Sequence, residues 1–547
     1  MTTTHAAATP PEPESRPASP WRYPVGLTLA ALVLGLSVEL LFDGRPLGIS
    51  ALIWACLSIL ALLLMGALEG ARPSRDSLAF IPGILLFATF VFVRAEPMTA
   101  FLSLVALLAL FALWVRVYRA GGLWRHGWID LGLALLWVPL ESWARTWAPL
   151  SDAWLRIAGE RGQRSRLAAI LRGLLLAIPI LVVLGALLSA ADQVFSDYMR
   201  AALEWLGLDK LVELAGRTAI VILSGLFFLG ALAVALFPRE GRRLIGEERP
   251  LILPFLGFTE AAVVLAAVDL LFAAFVAVQF AYLFGGEANI SAAGYTYSEY
   301  ARRGFGELVA VAVLTLGLIL GLASWAKRER PGQKGWFHAL SILLVGLMGV
   351  ILASALMRLL LYENAYGFTR LRTYTHVAIL WMGVVFLVFL VLLLAQRLRQ
   401  FAPVAGVCFA GFIATLGFLN VDAFIVRQNV GRMAESGKVD AAYLTSLSSD
   451  AVLRLVELAE ASDDSLRQEL LPGLACRLAE LEQREEETGL PSYHLSHSAA
   501  LQALRGIEAD LSPYRVRWEP YGEGRWGQWT VTVDGDERPC GYGGEDF

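Results

Sequence analysis

The sequence predicts an all-α polytopic membrane protein of about eleven transmembrane helices, with a small, mostly helical soluble C-terminal domain ending in a β-hairpin. Three observations carry this expectation. Of 547 residues, 57% are apolar and only 17% charged, whereas soluble domains carry roughly 25% charge. The apolar residues come mostly in blocks of roughly 17 to 25, the length a helix needs to cross a ~30 Å hydrocarbon layer. The blocks are also continuously apolar, without the alternation of barrel strands, and a helix is the element that satisfies its own backbone in lipid.

Taken in order, residues 1–22 are rich in Pro, Thr, Ala and Ser and lack an apolar core, so they read as a disordered tail and not as a cleaved signal peptide. The first span then acts as its own insertion signal. Spans are expected at 23–42, 47–68, 78–93, 98–117, 170–190, 218–237, 254–284, 308–325, 338–361, 374–395 and 403–419, which makes 23–419 the transmembrane domain. Segment 128–147 is apolar and Trp-rich, but it contains Asp130, Glu141 and Arg145 and has Pro139 in its middle. An interfacial or re-entrant helix is the preferred reading there, and a twelfth crossing is the alternative.

Charge in the loops sets the expected orientation, because Lys and Arg accumulate in short cytoplasmic loops. The basic loops are Arg116 to Arg166, Arg239 to Arg249, Lys327 to Lys334, and Arg397 with Arg399. All fall on one side if 128–147 does not cross, which puts the N-terminus inside and residues 420–547 outside the cell membrane. The net charge of −4 and the scattered basic residues give no extended basic patch, so nucleic acid is excluded as an expected partner.

After residue 419 the composition becomes charge-rich. Asp450 is placed to cap a helix over Ala451–Ala461, in which Leu453, Leu455, Val456 and Leu458 build an apolar face. Residues 514–518 and 529–533 alternate apolar and polar on either side of a Gly-rich turn, which predicts the hairpin. Cys56 and Cys408 fall in spans. Cys476 and Cys540 fall in the tail, where free thiols are the favoured reading and a disulfide the alternative.

Ionisable residues inside a bilayer are costly and count as functional candidates. Glu260 and Asp269 in the seventh span are the two acids of that kind, and Asp269 lies deeper. Glu39, Arg358 and His376 stand near outer span ends, where pairing with one another competes with snorkelling. His494 and His497 have a spacing that suits one helical face, but two histidines without a third ligand are weak grounds for zinc, and no metal or cofactor is expected. HExxH, GxSxG and Walker A motifs are absent, so no soluble-enzyme template applies.

Five segments rich in polar and aromatic residues stand out between the end of the fifth span and the stretch just after the last. They are Ser189-Ala190-Ala191-Asp192-Gln193-Val194-Phe195, Tyr282-Leu283-Phe284-Gly285-Gly286, and the run from Thr296 to Phe305 that includes Tyr297, Glu299, Tyr300, Arg302 and Arg303. The run Tyr366 to Arg372, with Arg370, and the run Asn420 to Asn429, with Asp422 and Arg427, complete the set. In these segments the chain resembles bacterial membrane proteins of the domain-of-unknown-function 4153 and 4173 families, and the likeness covers about residues 167–455. It implies a membrane fold and transfers no catalytic residue. Most of these motifs fall beside span ends on the expected outer side, where they read as helix caps and interfacial anchors or, alternatively, as an extracytoplasmic polar site.

The chain therefore reads as a multi-pass protein of the bacterial inner membrane, in contact with the lipid bilayer and with an extracytoplasmic envelope partner. Envelope assembly, sensing or partner binding is the expected role, without catalysis. A transporter or a membrane-embedded transferase using the intramembrane acids is the alternative.

Overall fold

The computed structural model describes residues 21–158 apart from 120 and 122–127, 173–205 with short gaps, 209–237, 255–283, 305–520 apart from 438 and 488, and 527–540. The described residues are 82% helical. The first elements are α1 (Pro24–Phe42), α2 (Ile49–Glu69), α3 (Arg75–Leu78), α4 (Phe80–Val93), α5 (Pro97–Val117), α6 (Trp128–Arg145) and α7 (Trp147–Ala158). They are followed by α8 (Gln193–Trp205), α9 (Asp209–Leu236), α10 (Phe258–Leu283), α11 (Phe305–Trp325), α12 (Pro331–Tyr366), α13 (Arg370–Leu394) and α14 (Phe401–Leu419). Among the described residues ten helices are long and apolar enough to cross a membrane, and they coincide with ten of the eleven expected spans. About half of the expected span at 170–190 lies outside the described residues, and the rest is helical. Segment 128–147 is helical as α6, with Pro139 inside it and an Arg145–Glu141 ion pair of 2.9 Å one turn apart.

The chain divides into two compact units. In the first (1–36, 60–72 and 140–237), Glu69 accepts the backbone N–H groups of Arg22 and Tyr23, each at 2.8 Å, which ties the start of α1 to the end of α2. Gly35 of α1 faces the backbone of Val221 and Gly225 in α9 so closely that a Cβ there would collide with it. Small residues are what allow helix backbones to meet in a bilayer.

The second unit holds α4, α5 and α10–α14, and the helices that follow them: α15 (Val421–Ser436), α16 (Ala441–Thr445), α17 (Ser449–Ala461), α18 (Asp464–Glu487), α19 (Leu495–Gly506) and α20 (Glu508–Leu511). One apolar cluster joins α10, α11, α12 and α13 through Leu265, Ile319, Met348 and Phe389. A second runs from Val377 and Leu416 in the spans through Val421 and Ile425 into Leu444, Leu455, Leu470, Leu501 and Leu504. The helices after residue 420 thus share a core with the ends of the spans.

The terminal hairpin appears as β1 (Arg515–Pro520) against β2 (Gly527–Val533), antiparallel with Trp518 opposite Trp529. A third strand, β3 (Asp536–Pro539), extends the sheet. Its two-residue turn is Asp534-Gly535, both at positive φ (54° and 93°), the backbone that Asp-Gly turns favour because their twist matches that of the strands. Cys476 on α18 is bonded to Cys540 after β3, with a Cα–Cα distance of 5.7 Å. The free-thiol expectation for this pair is corrected: the fold brings together two residues whose separation in sequence carried no distance.

Candidate functional site

The polar residues of the second unit gather where α4, α5, α13 and α14 end or begin against α15–α19. Glu96 precedes Pro97, the first residue of α5, and caps that helix by accepting from Met98 N (2.9 Å) and Thr99 N (2.7 Å). The Tyr374 hydroxyl, one turn into α13, donates to the same carboxylate. The backbone N–H of Glu96 donates to Asp450 Oδ2 at 3.0 Å, 354 residues further on. Asp450 does not cap its own helix, as the sequence suggested. Ser448 does so by accepting from Asp450 N, and this leaves the Asp450 carboxylate to reach the α4–α5 junction.

Beside this lies the second half of the network. Arg370 at the start of α13 grips Asp422 at the start of α15 with two parallel bonds, Nε to Oδ1 at 2.8 Å and Nη2 to Oδ2 at 2.6 Å. Ser448 N also donates to Asp422 Oδ2 (2.7 Å), and Arg370 N donates to the Tyr443 hydroxyl oxygen (3.0 Å). Asn429 pairs with both backbone groups of Phe368, its Oδ1 accepting from N (2.8 Å) and its Nδ2 donating to O (2.9 Å). Arg372 donates to the Gly367 carbonyl and lies over the Tyr362 ring at 4.0 Å. Arg94 donates from Nε to the Gly417 carbonyl at 2.6 Å, which binds the end of α4 to the end of α14. Asp422 and Glu96 are essentially fully buried. Buried charges persist when they are paired and hydrogen-bonded in this way.

Electrostatics outside the spans follow from that burial. Desolvation is the largest influence on Asp450 and pushes its carboxyl above the usual range, against the opposing pull of the Glu96 N–H and the Arg94 charge. Burial likewise raises the Tyr443 phenol. His494 and His497 stand with ring centroids 4.4 Å apart, and His497 Nδ1 lies 2.8 Å from Ser449 Oγ. Burial first, and then Arg484 nearby, depress His494 to about 4. Burial, His494, Arg484 and Arg477 depress His497 to about 3. Among the described residues no group of three metal-ligating side chains is present.

A cleft of about 430 Å³ opens next to the network, between Arg94 and Leu419 at span ends, Arg427 on α15, and Asp450, Arg454 and Ser496 on α17 and α19. Of the candidates singled out in the sequence, Arg370, Arg372, Asp422 and Asn429 thus converge on the network, and Arg427 lines the cleft. Asp192 is in the first unit, where its Oδ1 caps α8 by accepting from Phe195 N at 2.8 Å. Glu299, Arg302 and Arg303, with Tyr297 and Tyr300, lie outside the described residues. Glu260 is exposed and accepts from Gly257 N at 2.6 Å at the start of α10. Asp269 is 4% exposed, on the buried stripe of α10 with Leu265, Phe272 and Val276. Neither of its oxygens finds a hydrogen-bond partner among the described residues. Arg358 donates to Gln279, and His376 approaches Glu363 at 3.4 Å, so each is held by a neighbouring helix.

Arg94, Tyr374, Tyr443 and Ser448 stand in no local pattern that points to the network. Glu96 was readable as a cap, because an acceptor before Pro97 and an apolar run is a helix-start pattern. Its partners were not.

These helices and their polar joint define a multi-pass α-helical membrane protein whose C-terminal helices are built onto the ends of its spans. The chain matches the family described as Domain of unknown function (DUF4153) over residues 81–458. It belongs to that family. The match begins within α4, well before the region where the motif likeness was apparent. No curated protein and no solved structure matches the chain.

Proposed function

We propose that this protein works without catalysis, in envelope assembly, sensing or partner binding, from the outer face of the cell membrane. The observation that carries the proposal is the saturated network Ser448–Asp422–Arg370 and Tyr374–Glu96–Asp450, which fixes the C-terminal helices to the ends of α4, α5 and α13. A domain held this rigidly transmits whatever it contacts to the spans. The Cys476–Cys540 bond supports an outside position for the domain, since disulfides persist in oxidising compartments. The test is a pair of reporter fusions to the full chain after residue 547: an alkaline phosphatase fusion is expected to be active and a green fluorescent protein fusion dark. The reverse pattern overturns the proposed sidedness.

The alternative role, transport, is favoured by one observation, the buried and unpartnered carboxylate of Asp269. Such groups in spans mark ion or substrate paths more often than lipid contacts. Asp269→Asn keeps the shape and removes the charge. Transport requires that this variant insert normally yet fail to complement a deletion strain, and full complementation removes this reading.

A further inference from the structure

We propose that the cleft between Arg94, Arg427 and Arg454 binds the phosphodiester headgroup of an anionic phospholipid. The inference deepens the reading of this face as a binding surface and rests on it. Location comes first. Val93 and Leu419 are the last residues of α4 and α14, and both line the cleft. Where apolar spans end, the lipid headgroups begin. The domain also turns apolar side chains toward that level: Leu453 and Leu495 line the cleft while remaining 45% and 43% exposed. Tyr493 next to them is half-exposed, its carbonyl accepting from Ile49 N at the start of α2 (2.8 Å) and its ring 6.0 Å from Phe92. An aromatic ring at a span end is a common interfacial anchor.

Charge comes second. Of the three guanidinium groups in the cleft, Arg454 is neutralised by Glu457 at 2.6 Å. Arg427 is exposed, with its guanidinium 5.5 Å from the centre of the Phe424 ring, and among the described residues no carboxylate lies within ion-pair distance of it. Arg94 spends one N–H on the Gly417 carbonyl and also forms no ion pair among the described residues. Asp450, which also lines the cleft, accepts from Glu96 N at 3.0 Å. Two guanidinium groups outside any ion pair among the described residues, beside the apolar Val93, Leu419, Leu453 and Leu495, match a phosphate oxygen pair above acyl chains, because the planar fork binds phosphate bidentately.

The test uses the full-length protein in nanodiscs of neutral lipid doped with phosphatidylglycerol, released into the gas phase for native mass spectrometry. Wild type is expected to retain phosphatidylglycerol over the neutral lipid by at least tenfold. Arg427→Glu is expected to lose that preference, Arg427→Lys to keep part of it, and Arg517→Glu, on the exposed face of β1, to keep all of it. Equal retention by Arg427→Glu and wild type overturns the proposal. Displacement of the lipid by millimolar inorganic phosphate also overturns the lipid assignment, in favour of a soluble phosphate compound. Retention in nanodiscs does not depend on sidedness, so its failure is distinguishable from failure of the reporter fusions.

Discussion

Replacing Asp422 with Asn isolates the energy that joins the C-terminal helices to the spans. The carboxylate accepts three hydrogen bonds, two from Arg370 and one from Ser448 N. Asn keeps the shape and one acceptor, but its NH2 group must face a donor. Losing a charged hydrogen bond costs about 1.5–3 kcal/mol, and breaking a fully buried pair costs about 3–5 kcal/mol. The Arg370 side chain is 31% exposed, so water partly compensates its charge, and about 3 kcal/mol is expected overall. That corresponds to roughly a 100-fold larger local opening constant, since each tenfold change is about 1.4 kcal/mol. Hydrogen exchange read by mass spectrometry on the full chain should therefore show that acceleration in residues 441–461. Asp510→Asn, which removes a surface partner of Arg467, should shift exchange by less than about fivefold, the range of exposed pairs. The double variant Arg370→Gln, Asp422→Asn should cost less than the sum of the single changes. Acceleration below fivefold for Asp422→Asn would refute the argument that this network holds the joint.

Two further outcomes follow from the geometry. Reducing the Cys476–Cys540 bond opens a loop of 64 residues in sequence separation, worth up to about 4 kcal/mol in the chain-entropy account; exchange in residues 527–540 should rise at least tenfold while residues 451–461 stay protected, and equal acceleration of both segments would contradict a local clamp. His494 and His497 are held neutral, with folded pKa values of about 4 and about 3 against an ordinary value of 6.5. The unfolded chain therefore binds more protons below pH 6.5, and stability present above that value is lost as pH falls toward 4, on the order of 2 kcal/mol per imidazole over two pH units. Asp450, with its raised pKa, acts in the opposite sense as the folded state takes up its proton. Thermal unfolding at pH 6.5 and pH 4.5 checks the net sign, and His497→Gln should flatten the dependence.

The spans were legible because a single physical demand, a helix long and apolar enough for the bilayer, writes itself into contiguous sequence. The α1 to α5 and α9 to α14 spans needed no knowledge of their neighbours. The third strand was also within reach, because Asp534-Gly535 between alternating residues is a strong hairpin signal. It went unread for lack of a long apolar run after it, β3 being exposed throughout. The site was legible only in part. Arg370, Asp422 and Asn429 stood out as polar residues beside span ends, but what pairs with them depends on contacts across 26 to 73 residues, and the Glu96 contacts span 278 and 354. Local pattern carries no such distance. It also misassigned Asp450, since an acid at a helix start satisfies the capping pattern whether its carboxylate turns back to its own helix or away to another.

The same contacts bear on how an occupied cleft acts on the membrane helices. A ligand shifts a protein between two arrangements only by its difference in affinity for them. In the proposed reading a phosphate bound by Arg94 and Arg427 touches the end of α4 and the middle of α15, and Arg94 is already tied to the end of α14 through Gly417. Separating α4 from α15 would take the guanidinium groups off the phosphate one at a time, so the bound ligand favours the closed joint. Asp450 stands between that cleft and Glu96, and Glu96 is one hydrogen bond from Tyr374 on α13. From Asp450 to α13 the hydrogen bonds run through Glu96, whose N–H donates to Asp450 and whose carboxylate accepts from Tyr374. In the proposed reading a bound phosphate therefore adds its own binding free energy to holding that joint closed, through Arg94 and Arg427.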